Sequence, residues 1–192
     1  MKETLNLTVK LLIICVVISL LLAVVNRVTD PIIETNNQKS FQSSMGQVLP
    51  GAASFTEIDA EKLKDFTPSE SGVKVESVYA ADGGGYVVST VCSEGYGGDI
   101  EIMAGIDSEL KIKQVKIMSL SETPGLGAKA QNTDFITQYD GLGGKISVVK
   151  NQTPSGDEIQ AISGATITSK AVTKAVNAAL EAAEYAKGGD AK

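Results

Sequence analysis

The sequence predicts an α+β fold class, with a single N-terminal transmembrane helix followed by an antiparallel-sheet domain that ends in a C-terminal helix. An apolar run near the N-terminus predicts the membrane helix, and β-forming segments between glycine-rich turns predict the sheet. A long pattern of helical period predicts the last helix. We divide the chain into four parts. Residues 1–27 are the membrane anchor, 28–69 the stalk and helical lead-in, 70–187 the folded domain and 188–192 a flexible tail.

The N-terminal apolar run is long enough to span a bilayer. Residues 11–25 are apolar except for Ser19, and extension back to Leu5 gives a helix of about 31 Å, close to the thickness of a bilayer core. Lys10 lies inside this extended run, where its long stem can reach the interface. A cleaved signal peptide is the alternative, but residues 22–26 lack the pair of small residues that a cleavage site needs. We therefore expect a retained anchor.

The charges that flank this run predict its orientation. Lys2 and Lys10 precede it, whereas Arg27 is followed by acidic residues. Positive charge is enriched on the cytoplasmic side of membrane helices. We therefore expect a single-pass protein of the cell membrane with a cytoplasmic N-terminus and an extracytoplasmic folded domain.

The middle of the chain changes from helical to alternating patterns. The polar stalk is predicted to be helical after Pro31, with short helices at 41–48 and 60–64. Beyond it, four segments rich in β-formers are separated by glycine-rich or polar turns, and we expect them to form an antiparallel meander. These predicted strands are 73–76, Tyr86–Cys92, Ile100–Ile106 and 112–118.

The C-terminal third is predicted to contain two helices and a short strand. A helix is expected at 134–139, and a strand at 145–150 follows the glycine-rich turn 141–144. The strongest helical pattern covers 169–187, because its apolar residues recur on one face. These residues are Val172, Val176, Ala179, Leu180 and Ala183.

Composition excludes several kinds of chemistry. The chain has a net charge of −6 and no basic cluster, so we expect no nucleic-acid binding. It contains no histidine, which excludes Ser-His and Cys-His catalysis as well as histidine-ligated metals. Its two cysteines, Cys15 and Cys92, cannot ligate an iron–sulfur cluster unaided. We predict no catalytic dyad and no metal site, so redox chemistry would need an organic cofactor.

The first chemical motif is Ser163-Gly-Ala-Thr-Ile-Thr-Ser169. It is a turn of small residues that leads into the last helix. Such a junction presents free backbone N–H groups and the positive end of a helix dipole, which favour a phosphate group. The alternative is that Thr166, Thr168 or Ser169 only caps the helix.

The second motif is Ser121-Glu-Thr-Pro-Gly-Leu-Gly-Ala-Lys129. By itself it predicts a turn. Its two glycines and the apolar Leu126 would also let the backbone approach a planar ring closely.

Together the two motifs resemble those of the FMN-binding domain family. Residues 163–169 resemble its flavinylation motif, which implies that a flavin transferase joins FMN through its phosphate to Thr166, although Gln160 stands where that family often has Asp. The second motif resembles the segment that lies against the isoalloxazine in that family. The likeness covers roughly 70–187. The resemblance also implies Ser163, Gly164 and Ala165 at the phosphate and Glu122, Thr123, Leu126 and Gly127 at the ring. Thr168 and Gly125 are the remaining residues expected to bind FMN.

Within that family, a membrane helix ahead of the domain resembles the G subunits of Rnf-type ion-translocating complexes, and next the C subunits of sodium-pumping NADH:quinone reductases. The resemblance implies an electron-transfer subunit, rather than a stand-alone enzyme, that works between ferredoxin and NAD or a membrane electron carrier. Its implied partners are the other membrane subunits, a flavin transferase and membrane lipid. An extracytoplasmic flavin-dependent reductase and a non-redox membrane-anchored scaffold remain as alternatives.

Overall fold

The computed structural model describes residues 2–59 and 61–190. The chain divides into two compact units, Met1–Ser43 and Ser44–Lys192. Helix α1 spans Lys2–Val48, so most of it lies in the first unit and its last residues, from Ser44 onward, lie in the second. The second unit contains the sheet and the remaining helices.

Helix α1 has the length and composition of a membrane span. Its apolar side chains from Leu11 to Val25 are exposed. Among the described residues, α1 is the helix long and apolar enough to cross a membrane. The helix continues through Pro31, and the Thr35 hydroxyl donates a hydrogen bond to the Pro31 carbonyl at 2.7 Å. The helix predicted at 41–48 is confirmed as the end of this longer element.

The second unit contains a five-stranded antiparallel sheet in the order β1-β2-β3-β4-β5. The predicted meander is confirmed, and its first and last strands are longer than the sequence pattern indicated. Strand β1 was not predicted, because three residues are too few to show an alternating pattern. The strands are β1 (Phe55–Glu57), β2 (Val73–Ala81), β3 (Tyr86–Cys92), β4 (Ile100–Ile106) and β5 (Ile112–Leu120).

One face of the sheet packs against the C-terminal helix, which spans Thr166–Asp190 and is α3 in chain order. The predicted apolar face of this helix is buried, as expected for burial of an amphipathic stripe. The Thr90 hydroxyl of β3 donates to the Ala175 carbonyl of α3 at 3.1 Å, which satisfies a buried polar group. Fully buried side chains between the two layers include Val88, Ile102, Ile106, Val172 and Val176.

The opposite face of the sheet is covered by residues 44–49. A Cβ built on Gly105 would lie 2.0 Å from the Val48 carbonyl oxygen. The backbone of β4 is therefore in direct contact with the backbone at Val48. Val87, the cross-strand partner of Gly105, is fully buried, as is Met103 on the same face of β4. Because strand side chains alternate between faces, these residues form an apolar layer separate from the one beneath α3.

Residues that the sequence suggested as stalk therefore belong to the folded unit. Lys116 of β5 donates hydrogen bonds to Ser44 Oγ at 2.9 Å and to Gln47 Oε1 at 2.8 Å. The folded unit begins at Ser44, ahead of the boundary drawn at residue 70, because residues 44–49 cover the sheet and β1 extends it.

The segment between β5 and α3 holds short elements. A 3-10 helix at Gly127–Gln131 precedes α2 (Thr133–Ile136), and a second 3-10 turn, Thr137–Tyr139, continues α2. The helix predicted at 134–139 is thus present in two parts.

The short strand predicted at 145–150 is smaller than expected. It is β6 (Ser147–Val149), which pairs in parallel with β7 (Glu158–Gln160), a strand that was not predicted.

The helix predicted at 60–64 and the tail predicted at 188–192 each include residues that the structure does not describe. Residue 60 is not described, and residues 61–65 form turns instead of the expected short helix. Helix α3 continues to Asp190, into the segment predicted as a tail, while residues 191–192 are also outside the described part.

Candidate functional site

The first motif forms a tight turn at the start of α3. The Ala165 N–H donates to the Ile162 carbonyl at 3.0 Å, and Gly164 has a φ of +77° that other residues rarely adopt. Ser169 locks this turn, since its hydroxyl accepts a hydrogen bond from the Ile162 N–H at 3.0 Å and donates one to the Ala165 carbonyl at 2.9 Å. The helix begins at Thr166, so Thr166 and Thr168 lie inside its first turn, whereas the Ser169 hydroxyl makes the hydrogen bonds across the helix start.

The start of α3 presents backbone donors. The first helical hydrogen bond runs from the Ser169 N–H to the Ala165 carbonyl. Among the described residues, the N–H groups of Thr166, Ile167 and Thr168 have no backbone or side-chain acceptor. Unsatisfied N–H groups at a helix N-terminus suit a bound phosphate.

The second motif forms a turn of similar geometry. The Leu126 N–H donates to the Thr123 carbonyl at 3.1 Å, Pro124 occupies the second position and Gly125 the third, with φ +79°. This is the residue order that a type II turn favours. The turn brings Leu126 beside the first motif, since a Cβ built on Gly164 would lie 3.1 Å from Leu126 Cδ2.

Glu122 connects this motif to two other segments. Its Oε1 accepts from the Tyr96 N–H at 2.8 Å and from the Gly97 N–H at 3.3 Å. Its Oε2 accepts from the Thr168 hydroxyl at 3.0 Å. Glu122 is only 7% exposed, so its carboxylate lies beneath the surface of the site.

The two motifs form the walls of one cleft of about 610 Å³, a volume typical of ligand-binding pockets. Ser163 and Gly125 are exposed at its margin but do not line it. The other residues predicted to bind FMN all line the cleft. They are Glu122, Thr123, Leu126, Gly127, Gly164, Ala165, Thr166 and Thr168.

Three lining residues were not assigned from the sequence, namely Tyr96, Lys150 and Ile167. Ile167 lies within the first motif and Tyr96 within the turn between β3 and β4, but neither has a predicted role. No sequence motif around Lys150 predicted a ligand contact, because only the tertiary fold brings the end of β6 to the cleft.

The two threonines of the first motif have different environments. Thr168 is 1% exposed and its hydroxyl is bonded to Glu122. Thr166 is partly exposed on the cleft, and its hydroxyl has no hydrogen bond within the described part of the chain. Of these two hydroxyls, Thr166 is therefore the one open to chemical modification.

The residues of the cleft fit a molecule that has both a planar apolar ring and an anionic group. Tyr96, Leu126 and Ile167 are large apolar side chains that are 71%, 45% and 54% exposed at its margin. Lys150 and the free N–H groups of α3 supply cationic and donor character. FMN combines an isoalloxazine with a phosphate, so the lining suits both parts.

A small ionic cluster holds the neighbouring loop. Lys174 of α3 donates to Glu94 Oε2 at 2.7 Å and to Ser71 Oγ at 3.0 Å. The hydrogen bond from Lys174, helped by one from Ser71, lowers the pKa of the Glu94 carboxyl. The hydrogen bond to Glu94 in turn raises the pKa of the Lys174 ammonium group. The cluster joins the residue before the 95–98 turn to α3.

A second groove of about 620 Å³ lies elsewhere on this unit. Its lining includes Glu109, Asp157, Glu181 and Glu184, and none of the residues predicted to bind FMN. The motif cleft is the better candidate despite its similar size, because it alone brings together both motifs.

Comparison with known proteins identifies the family of the chain. The sequence profile of the FMN-binding domain matches residues 95–181. The chain is 36% identical to the G subunit of the Na(+)-translocating ferredoxin:NAD(+) oxidoreductase complex of Acetobacterium woodii, with 94% of this chain and 91% of that protein covered. The chain belongs to this family of FMN-binding G subunits. With the apolar α1, this membership makes it a membrane-anchored FMN-binding protein.

A second G subunit is similarly related to this chain, and one solved structure shares its fold. The G subunit of the proton-translocating ferredoxin:NAD(+) oxidoreductase complex of Clostridium ljungdahlii is 33% identical, covering 95% of this chain and 92% of that one. The crystal structure of Shewanella oneidensis NqrC superimposes with a TM-score of 0.52 over 60% of this chain and 61% of that chain, at 20% identity. The latter similarity concerns the fold alone.

Proposed function

We propose that this protein is the electron-carrying G subunit of an Rnf-type ion-translocating complex, with FMN joined to Thr166 through its phosphate. The observation that carries the attachment is the contrast between the two threonines. Thr166 presents an unbonded hydroxyl at the cleft, whereas the Thr168 hydroxyl is buried and bonded to Glu122. The bound flavin supplies the one- and two-electron redox chemistry.

The protein itself supplies attachment and orientation. Thr166 would supply the hydroxyl oxygen of the phosphoester bond to FMN, and a flavin transferase would deliver the flavin phosphate to it. The free N–H groups of Thr166, Ile167 and Thr168 stabilise the phosphate at the start of α3. Leu126, Tyr96 and Ile167 offer apolar surface to the ring.

Assembly and orientation extend the same proposal. The relatives are named as subunits of ferredoxin:NAD(+) oxidoreductase complexes, which supports partnership with other membrane subunits. The charges around α1 favour a cytoplasmic N-terminus, so the FMN domain lies outside the cytoplasm, where a flavin transferase must act. A covalent link retains a cofactor that would otherwise diffuse away there.

The attachment is tested by co-expressing the full chain with a flavin transferase exported to the extracytoplasmic side. Denaturing gels report covalent flavin by fluorescence, and intact mass reports an adduct of FMN less one water. We expect Thr166→Ala to lose the adduct, Thr168→Ala to keep at least part of it, and Thr166→Ser to keep some because a hydroxyl survives.

Circular dichroism must first show that each variant is folded, because changes near a helix start can destabilise a domain by about 1 kcal/mol. A folded Thr166→Ala protein that still carries covalent flavin would refute the assignment.

A further inference from the structure

We propose that Glu122 is a positioning residue, whose hydrogen bonds hold the Tyr96–Gly97 backbone and the first turn of α3 in the arrangement that FMN at Thr166 requires. The inference rests on the proposed function and adds to it. The family resemblance implies that Glu122 borders the ring, and the structure directs its carboxylate to three donors of the protein.

These donors come from two separate segments. Tyr96 and Gly97 belong to the turn between β3 and β4, and Thr168 belongs to the first turn of α3. Tyr96 and Thr168 both line the cleft. A single side chain therefore sets the distance between two parts of the cleft wall.

Hydrogen bonding rather than ion pairing is what holds Glu122. No described lysine or arginine forms a salt bridge with it, and its side chain is buried. Buried polar groups need partners, and removing an acceptor leaves its donors unsatisfied. Loss of the Glu122 oxygens would leave two N–H groups and the Thr168 hydroxyl without their acceptor, so these segments would move to find water.

The surroundings leave little room for another arrangement. A Cβ on Gly127 would lie 2.3 Å from Glu122 Oε2, and one on Gly95 would lie 3.0 Å from Glu122 Oε1. A Cβ on Gly97 would lie 2.0 Å from the Ser121 carbonyl oxygen. Glycines at these contacts allow the backbone to enclose the carboxylate closely.

Two substitutions of similar size separate hydrogen bonding from volume. In Glu122→Gln, the amide oxygen can accept from Tyr96 and Gly97 while the amide nitrogen donates to the Thr168 oxygen. Glu122→Met retains a long side chain but lacks strong acceptors. A positioning role predicts that Gln rescues the function that Met loses.

The experiment uses the full chain in membranes with limiting flavin transferase, after circular dichroism and thermal unfolding have established folding. It measures the rate of covalent flavin incorporation and the absorption and fluorescence spectra of the attached flavin. We expect Glu122→Gln to load within about twofold of the unmodified rate, and Glu122→Met to load about tenfold more slowly, as unsatisfied buried donors displace the cleft wall. The spectrum of the Met variant should shift toward that of free FMN.

Two results would overturn the inference. One is a folded Glu122→Met protein with the original loading rate and spectrum. The other is a Gln variant as impaired as Met, which would mean that charge, and not hydrogen-bond geometry, is required. If Met prevents folding, Thr168→Val removes one of the bonds with little change in volume, and an unaltered rate and spectrum in that variant would also contradict the role.

Thr166→Ala in the same series keeps the two proposals apart. Retained covalent flavin in that variant refutes attachment at Thr166. Lost flavin in Thr166→Ala combined with an unaffected Glu122→Met refutes only the positioning role.

Discussion

Gly105 and Val48 are in backbone contact, since a Cβ built on Gly105 would lie 2.0 Å from the Val48 carbonyl oxygen. This contact joins the end of α1 to the middle of β4. It explains why the face of the sheet away from α3 is buried at Val87 and Met103.

Gly105→Ala should therefore destabilise the folded unit by about 1–3 kcal/mol, the usual cost of overpacking. Gly46→Ala is the matched control. Gly46 lies near Val48 in the last turns of α1, and a Cβ built on it would have nothing within 4 Å. Alanine is about 1 kcal/mol better than glycine inside a helix, so the control should be neutral or stabilising. Calorimetric unfolding of the detergent-solubilised chain measures both. Equal thermal midpoints for the two variants would contradict the close contact.

Gly127→Val should disturb the flavin environment while covalent attachment remains possible. Its Cβ would lie 2.3 Å from Glu122 Oε2 and 2.7 Å from Thr168 Oγ1, so the added side chain separates these two groups. We expect a shifted flavin spectrum or midpoint potential in a protein that still loads. Gln131→Ala, an exposed change in the same 3-10 helix, is the control and should leave both properties unchanged. A folded Gly127→Val protein with the original spectrum and potential would show that this loop is only a turn.

The Glu94–Lys174 pair should contribute to stability only above acidic pH. The bond from Lys174 lowers the folded-state pKa of Glu94 below its ordinary value of 4.5. Its contribution is therefore present above about pH 4.5 and is lost as pH falls through the lowered folded pKa. The urea midpoints of the unmodified protein and Glu94→Gln should differ at pH 7 and converge in acid. Exposed Glu61→Gln serves as control. A difference that does not diminish as the pH is lowered would exclude this origin.

The orientation of α1 can be tested by fusions after Lys39. An enzyme that is active only outside the cytoplasm should be active there, and a fluorescent protein that folds only in the cytoplasm should be dark. The physical reason is the positive charge that precedes the apolar run. The opposite pair of signals would reverse the topology. The same reporters fused before Lys2 should give the opposite, cytoplasmic result, and they confirm that the protein is expressed.

Local sequence predicted most of the regular structure. Strands β3 and β4 have the predicted bounds, because β-formers run between glycine-rich turns. The apolar face of α3 was also correct. In contrast, β1 and β7 are short strands whose pairing partners, not their own residues, make them strands. The role of residues 44–49 could not be predicted, because it depends on Gly105 admitting a helix backbone.

The sequence by itself determined the membrane helix, the sheet, the last helix and the two motifs, since these depend on hydrophobic pattern and turn chemistry within short segments. Only the tertiary structure decided how the motifs meet. It directed Glu122 toward Tyr96, Gly97 and Thr168 and brought Lys150 to the cleft. It also left the Thr166 hydroxyl accessible while it buried that of Thr168. These features depend on contacts between residues far apart in the chain. Burial and hydrogen-bond satisfaction, which distinguish the two threonines, exist only once the chain has folded.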